Sequence, residues 1–162
     1  MNDKLKTTFA LVSFTAALTL PLIGLGYGWW RWDISTGLII MAGIFVFFFA
    51  AGALALARVH DLSWLATSLP FLFGSLYTVM PDVIPLQVDD AVTTTAGALL
   101  SYALALRKKP NTPKWIIIPL LAAGSYALLG GALPGPVDEI IVDVVALLVA
   151  GVGARKGSND LR

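Results

Sequence analysis

Apolar runs alternate with short polar turns along almost the whole chain. A hydrocarbon core of about 30 Å needs about 20 apolar residues in helix. Six segments meet or approach that length, at residues 8–30, 37–57, 63–80, 88–106, 115–133 and 138–154. The first two are comfortably long. The other four reach full length only with polar flanking residues, which would draw the adjoining turns to the bilayer surface or slightly below it. The pattern predicts an all-α integral membrane protein of six transmembrane helices, arranged as three hairpins over 8–57, 63–106 and 115–154 in one membrane domain spanning 1–162.

Composition agrees. The chain is 57% hydrophobic and 13% charged, where soluble domains carry about a quarter charged residues. A net charge of +1 offers no basic face for a run of phosphates, which argues against nucleic-acid binding. Cysteine is absent, removing disulfides, thiolate nucleophiles and Cys-ligated metals together, and His60 is the single histidine. The N-terminal segment has the basic start and apolar stretch of a signal peptide. Its apolar run continues to about Trp30 with no small-x-small cleavage site before a polar start, so a retained helix is expected.

Charge then sets an orientation. Lys4, Lys6, Arg58, Arg107, Lys108, Lys109, Lys114, Arg155, Lys156 and Arg162 share one side of the six-span arrangement, and only Arg31 lies on the other. The positive-inside bias puts both termini in the cytoplasm and the protein in the cell membrane. Trp29, Trp30 and Trp32 mark the first outer turn, and Trp64 and Trp115 open spans on the inner side. Indole rings favour headgroup level, which fits both placements.

A period of 49 residues runs through the chain. It relates Pro21, Pro70 and Pro119, and also Arg58, Arg107 and Lys156. At the same offset Tyr77 pairs with Tyr126, Pro85 with Pro134, Asp89 with Asp138, and Asp90 with Glu139; Asp33 pairs with Asp82. Three tandem hairpins in one orientation are expected, each with a proline in its first helix. In lipid the carbonyl freed by such a proline needs another donor, and Thr19 and Ser68 lie close in sequence. Gly24 and Gly28 have the four-residue spacing that lets helices approach closely.

The candidate chemistry lies in the outer turns. PDVIPLQVDDAV and LPGPVDEIIVD each lead from a proline turn into an acidic pair that opens a helix. Asp89 and Asp138 fit helix caps, since carboxylates accept the orphan N–H groups there and suit the positive end of the dipole. Capping leaves the second acid of each pair unexplained. Glu139 and Asp143 share a helix face, and an ionisable group at membrane depth marks a functional site by default. Asp82, Asp89, Asp90, Asp138, Glu139 and Asp143 are therefore the candidate ligands of a divalent cation or Na⁺, or stations for a proton. No cofactor beyond such an ion is expected.

Enzyme templates fit poorly. Asp-rich pyrophosphate sites need basic partners, and Arg31 is the only basic residue on the acidic side. Ser75 and Ser125 have no histidine near them in sequence, so an intramembrane hydrolase lacks its base. His60 reads as a solvated residue paired with Asp61. Thr93, Thr94 and Thr95 either line a polar path or bond back to their own helix.

Residues 76–92 resemble the core of the YkvA-like domain of unknown function, through Tyr77, Pro81, Asp82, Ile84, Pro85, Asp89 and Asp90. The resemblance implies a helix–proline turn–acidic pair geometry and no activity. Two functions remain open. One is a small protein that binds or transports a cation or cationic solute through outward carboxylates. The other is an accessory subunit of a membrane complex, docking a partner on its acidic turns. The expected partners are the bilayer and either a second copy or a complex partner.

Overall fold

In the computed structural model, residues 2–79, 88–126 and 137–159 are described, and among them the structure is all-helical with no strand. The six α-helices are α1 (Asp3–Arg31), α2 (Ile34–Ala57), α3 (Trp64–Leu76), α4 (Val88–Lys108), α5 (Ile117–Tyr126) and α6 (Val137–Asn159). A 3₁₀ turn, Tyr77–Val79, extends α3, and another, Lys114–Ile116, leads into α5. At 1.5 Å per residue, α1 and α2 are about 44 and 36 Å long. These two are long and apolar enough to cross a membrane. With its 3₁₀ extension α3 reaches about 25 Å, and α5 with its lead-in about 21 Å.

The chain divides into two compact units, Met1–His60 and Asp61–Arg162. The first is the α1/α2 hairpin, held by close backbone approach. A Cβ on Gly28 would lie 2.6 Å from Gly37 Cα, and one on Gly24 would meet Ile40 and Ile44. The four-residue glycine spacing thus marks the contact face. Further along, Phe14 fills the space over Gly52 and packs edge-on against Phe49, with ring centroids 5.4 Å apart. Asp33 caps α2, its carboxylate accepting from the Thr36 N–H at 2.8 Å and the Thr36 hydroxyl at 3.0 Å. These bonds hold its pKa below the ordinary 3.8, the Thr36 backbone N–H contributing most.

The far ends of the hairpin are clasped by Asp3. Its carboxylate takes Lys6 Nζ at 2.9 Å and the His60 N–H at 2.9 Å, while Lys6 also donates to the Arg58 carbonyl at 2.9 Å. His60 faces Asp3, with Nδ1 3.6 Å from Oδ1. Helix pairing brings this partner in from 57 residues away.

The second unit is a ring of four helices in which α3 packs on α4, α4 on α5, α5 on α6, and α6 back on α3. Neighbours run antiparallel. Gly74 lies on Thr93 while Gly97 lies on Pro70 and Phe71; Gly124 lies on Thr95; Gly153 lies on Trp115; and Gly151 lies on Trp64. At Gly97 the contact is with Pro70 backbone oxygen, so no larger residue fits without parting α3 from α4. Phe71, Ala98, Ile116, Leu120, Ala123, Ala146 and Ala150 form the apolar core of this unit.

The prolines behave differently from expectation. Thr19 donates to the Thr15 carbonyl and Ser68 to the Leu65 carbonyl, whereas proline at 21 and 70 frees the carbonyls four residues earlier, those of Ala17 and Ala66. Nearness in sequence did not select the right acceptor, because a hydroxyl bonds three or four residues back from its own position. Pro119 is the third residue of α5, within the first turn where N–H groups lack intrahelical acceptors.

Candidate functional site

Antiparallel packing gathers the C-terminal ends of α3 and α5 and the N-terminal ends of α4 and α6 at one end of the ring. Sequence had placed the acids there, and the fold turns them inward. Asp89, Asp90, Asp138, Glu139 and Asp143 are each less than a tenth exposed. Burying so many carboxylates costs several kcal/mol per ion unless each is hydrogen-bonded or neutralised, so the bonds they make define the site.

Two of those bonds are equivalent. The Tyr77 hydroxyl donates to Asp89 Oδ2 at 3.3 Å, and the Tyr126 hydroxyl donates to Asp138 Oδ2 at 3.1 Å. Donor and acceptor stand twelve residues apart in both cases, and the two pairs lie 49 residues apart in the chain. Asp89 and Asp138 are not the N-caps expected of them. Each occupies the first turn, one residue inside the helix start, and its side chain turns to a tyrosine of the preceding helix. The positive end of the helix dipole still favours their charge there.

Asp143 lies one turn deeper on α6, beside Glu139 on its own helix and Ser75 on α3. The Ser75 hydroxyl is buried and lies close to this carboxyl without forming a bond of good geometry, so Ser75 Oγ has no hydrogen-bond partner. Thr94 Oγ1 on α4 and Thr78 Oγ1 beyond α3 are likewise buried with no such partner. Thr93 instead bonds back to the Asp90 carbonyl at 3.0 Å and reaches the Gly74 carbonyl at 3.4 Å. Thus Thr94 faces the interior, Thr93 ties two helices, and Thr95 packs on Gly124.

Asp82 lies outside the described residues, as do Pro81, Ile84 and Pro85 of the proline turn. Among the described residues, no three of His, Asp or Glu come together in an arrangement able to hold a metal ion. The acidic pairs of α4 and α6 share one end of the ring. Sequence reasoning overlooked the tyrosines as donors and Ser75 as the neighbour of Asp143. The recurrence of tyrosine with aspartate at one spacing was the available signal for the first. Nothing in sequence announced the second, which depends on the packing of α3 against α6.

The outer surface of the same unit is apolar. On α6, Ile141, Val144, Val145, Leu148, Val149 and Val152 are exposed, while Asp138, Glu139 and Asp143 point in. Comparison with known proteins supplies no analogy: no family model, no curated protein and no solved structure matches the chain.

Proposed function

We propose that this is a membrane protein, not an enzyme, that binds or moves a cation through the buried carboxylates of its four-helix unit. The observation that carries the reading is the reversal of polarity in that unit, with five acids inside and large aliphatic side chains outside. Such a distribution is unfavourable in water and natural in lipid, where ionisable residues face the bundle interior and mark ion pathways. In this reading all six helices cross the bilayer, α3 and α5 as short segments, with both termini cytoplasmic and the acidic end outward. The matched Tyr77–Asp89 and Tyr126–Asp138 bonds support descent of the two hairpins from one duplicated unit.

Among the described residues no three acids come together to hold a metal ion, so these residues alone suit a monovalent cation, a proton or a small cationic solute better than Mg²⁺ or Ca²⁺, which seek six or more oxygens. The test is a thermal-shift series on the purified protein against Na⁺, Mg²⁺, Ca²⁺, methylammonium and pH, with Asp89→Asn and Asp138→Asn alongside. Stabilisation of the wild type beyond that of the variants by at least one of these supports the reading. Equal response of all three proteins to every cation and to pH defeats it. A partner that co-purifies in fixed stoichiometry, together with that equal response, would favour the accessory-subunit role.

A further inference from the structure

We infer that the four-helix unit binds a dehydrated sodium ion between Asp143 of α6, Ser75 of α3 and Thr94 of α4. The inference rests on the reading of the acidic end as a cation site, and it names the ion and the residues that would hold it.

The hydroxyls carry the argument. A serine or threonine in a helix ordinarily bonds back to a carbonyl of its own helix. Thr67, Ser68, Thr93 and Ser125 of this unit do so, to Trp64, Leu65, Asp90 and Leu121, and Ser101 accepts the Phe71 N–H at 2.9 Å. Among the described residues, the buried hydroxyls with no hydrogen-bond partner are those of Ser75, Thr78 and Thr94, all at the acidic end. A buried hydroxyl without a partner is costly, and a bound ligand offsets that cost.

Both Ser75 and Thr94 lie at the level of Asp143. Ser75 is beside its carboxyl across the contact of α3 with α6. On α4, Thr93 meets Gly74 of α3 and Thr95 meets Gly124 of α5, so Thr94 between them points into the ring toward α6. The contact of Thr93 with Gly74 also sets the height of Thr94, level with Ser75. Residues three or four apart share a helix face, so the layers stack. Phe71, Ala98 and Ala146 of the apolar core form a floor. Ser75, Thr94 and Asp143 lie one turn above it, and Thr78, Asp90 and Glu139 a further turn toward the acidic end.

Charge and size select the ion. Thr94 and Asp143 stand 49 residues apart, at equivalent places in the repeat, so α6 brings one carboxylate where α4 brings a hydroxyl. One carboxylate with two neutral oxygens matches a monovalent cation, which needs no cluster of acids as Mg²⁺ or Ca²⁺ would. α3 ends at Leu76, one residue past Ser75, and carbonyls at the C-terminal ends of short helices hold Na⁺ in membrane proteins. All three side chains are no more than 5% exposed, a packing that suits a bare small ion rather than a hydrated one or methylammonium.

Equilibrium binding of radioactive sodium to the purified full-length protein in detergent tests this. Saturable binding of one ion per chain is expected. Ser75→Ala and Thr94→Val should each weaken it by about tenfold, through loss of one oxygen ligand, and Asp143→Asn should abolish it. Thr94→Ser, which keeps the hydroxyl, should bind more tightly than Thr94→Val, so a packing effect of valine is told apart. Ser125→Ala, whose hydroxyl bonds to its own helix, should bind as wild type does. Absence of saturable sodium binding, or binding that Ser75→Ala and Thr94→Val leave unchanged, overturns the proposal. If sodium binding depends on Asp89 and Asp138 but not on Asp143, the proposal falls and the broader cation reading stands. The same holds if methylammonium or protons stabilise the protein while sodium does not bind. No sodium binding, with the equal thermal response described above, removes both.

Discussion

Removing one hydroxyl from each hairpin probes whether the two acidic ends are equivalent. Tyr77→Phe and Tyr126→Phe keep the rings and delete the donors to Asp89 and Asp138. A hydrogen bond to a charged group contributes about 1.5–3 kcal/mol. At 3.3 and 3.1 Å both are longer than the 2.5–2.7 Å typical of strong hydroxyl–carboxylate bonds. The lower part of that range applies, about 1.5–2 kcal/mol each. For a protein of this size 1 kcal/mol moves the melting temperature by roughly 2–4 °C, so each variant should melt about 3–8 °C lower. Thermal unfolding in detergent, followed by circular dichroism, reads this directly. The controlling arm places each change in a background lacking its carboxylate. Tyr126→Phe should cost less in Asp138→Asn than in wild type, because the cycle isolates the pair. An equal cost in both backgrounds, or a loss for only one hairpin, would refute the paired-donor account.

Other outcomes follow from the first unit. Gly28→Ala pushes a Cβ to 2.6 Å from Gly37 Cα, while Gly26→Ala meets nothing within 4 Å. The first should lose about 1–3 kcal/mol through overpacking, and the second should gain up to about 1 kcal/mol in helix propensity. Equal melting temperatures would contradict the packing. Asp33 has its pKa lowered by the Thr36 N–H and hydroxyl, so its contribution to stability is present above the ordinary value near 3.8 and is lost as pH falls through its lower folded value. Asp33→Asn should flatten the low-pH side of the stability profile, which a pH series of melting curves checks. In the Asp3 clasp, Asp3→Ala releases Lys6 and the His60 N–H together. Amide hydrogen exchange at His60 should then accelerate.

The helices were legible because apolar run length reports them almost directly. The predicted starts at 37, 63, 88 and 138 fall within three residues of the observed Ile34, Trp64, Val88 and Val137. The start of α1 was missed by five residues, because Asn2 caps it and accepts the Leu5 N–H at 2.8 Å, which hydropathy does not register. The acidic pairs were visible as residues, but their role was not. Capping is a local property and was the natural expectation, yet each aspartate answers to a tyrosine on the preceding helix. The clasp at Asp3 and the Ser75–Asp143 contact depend on helix pairing across 57 and 68 residues. Sequence separation of that order carries no direct signal in one chain read alone.

The proposed function requires the four-helix unit to span a bilayer with its acidic end outward. Because the chain has no cysteine, single cysteines can be placed at Gln87 and Asn111, which flank α4 just beyond its two ends. With a membrane-impermeant maleimide on intact cells, the account predicts labelling at position 87 and none at 111 until the membrane is opened. Labelling of both positions from outside, or of 111 alone, would contradict it.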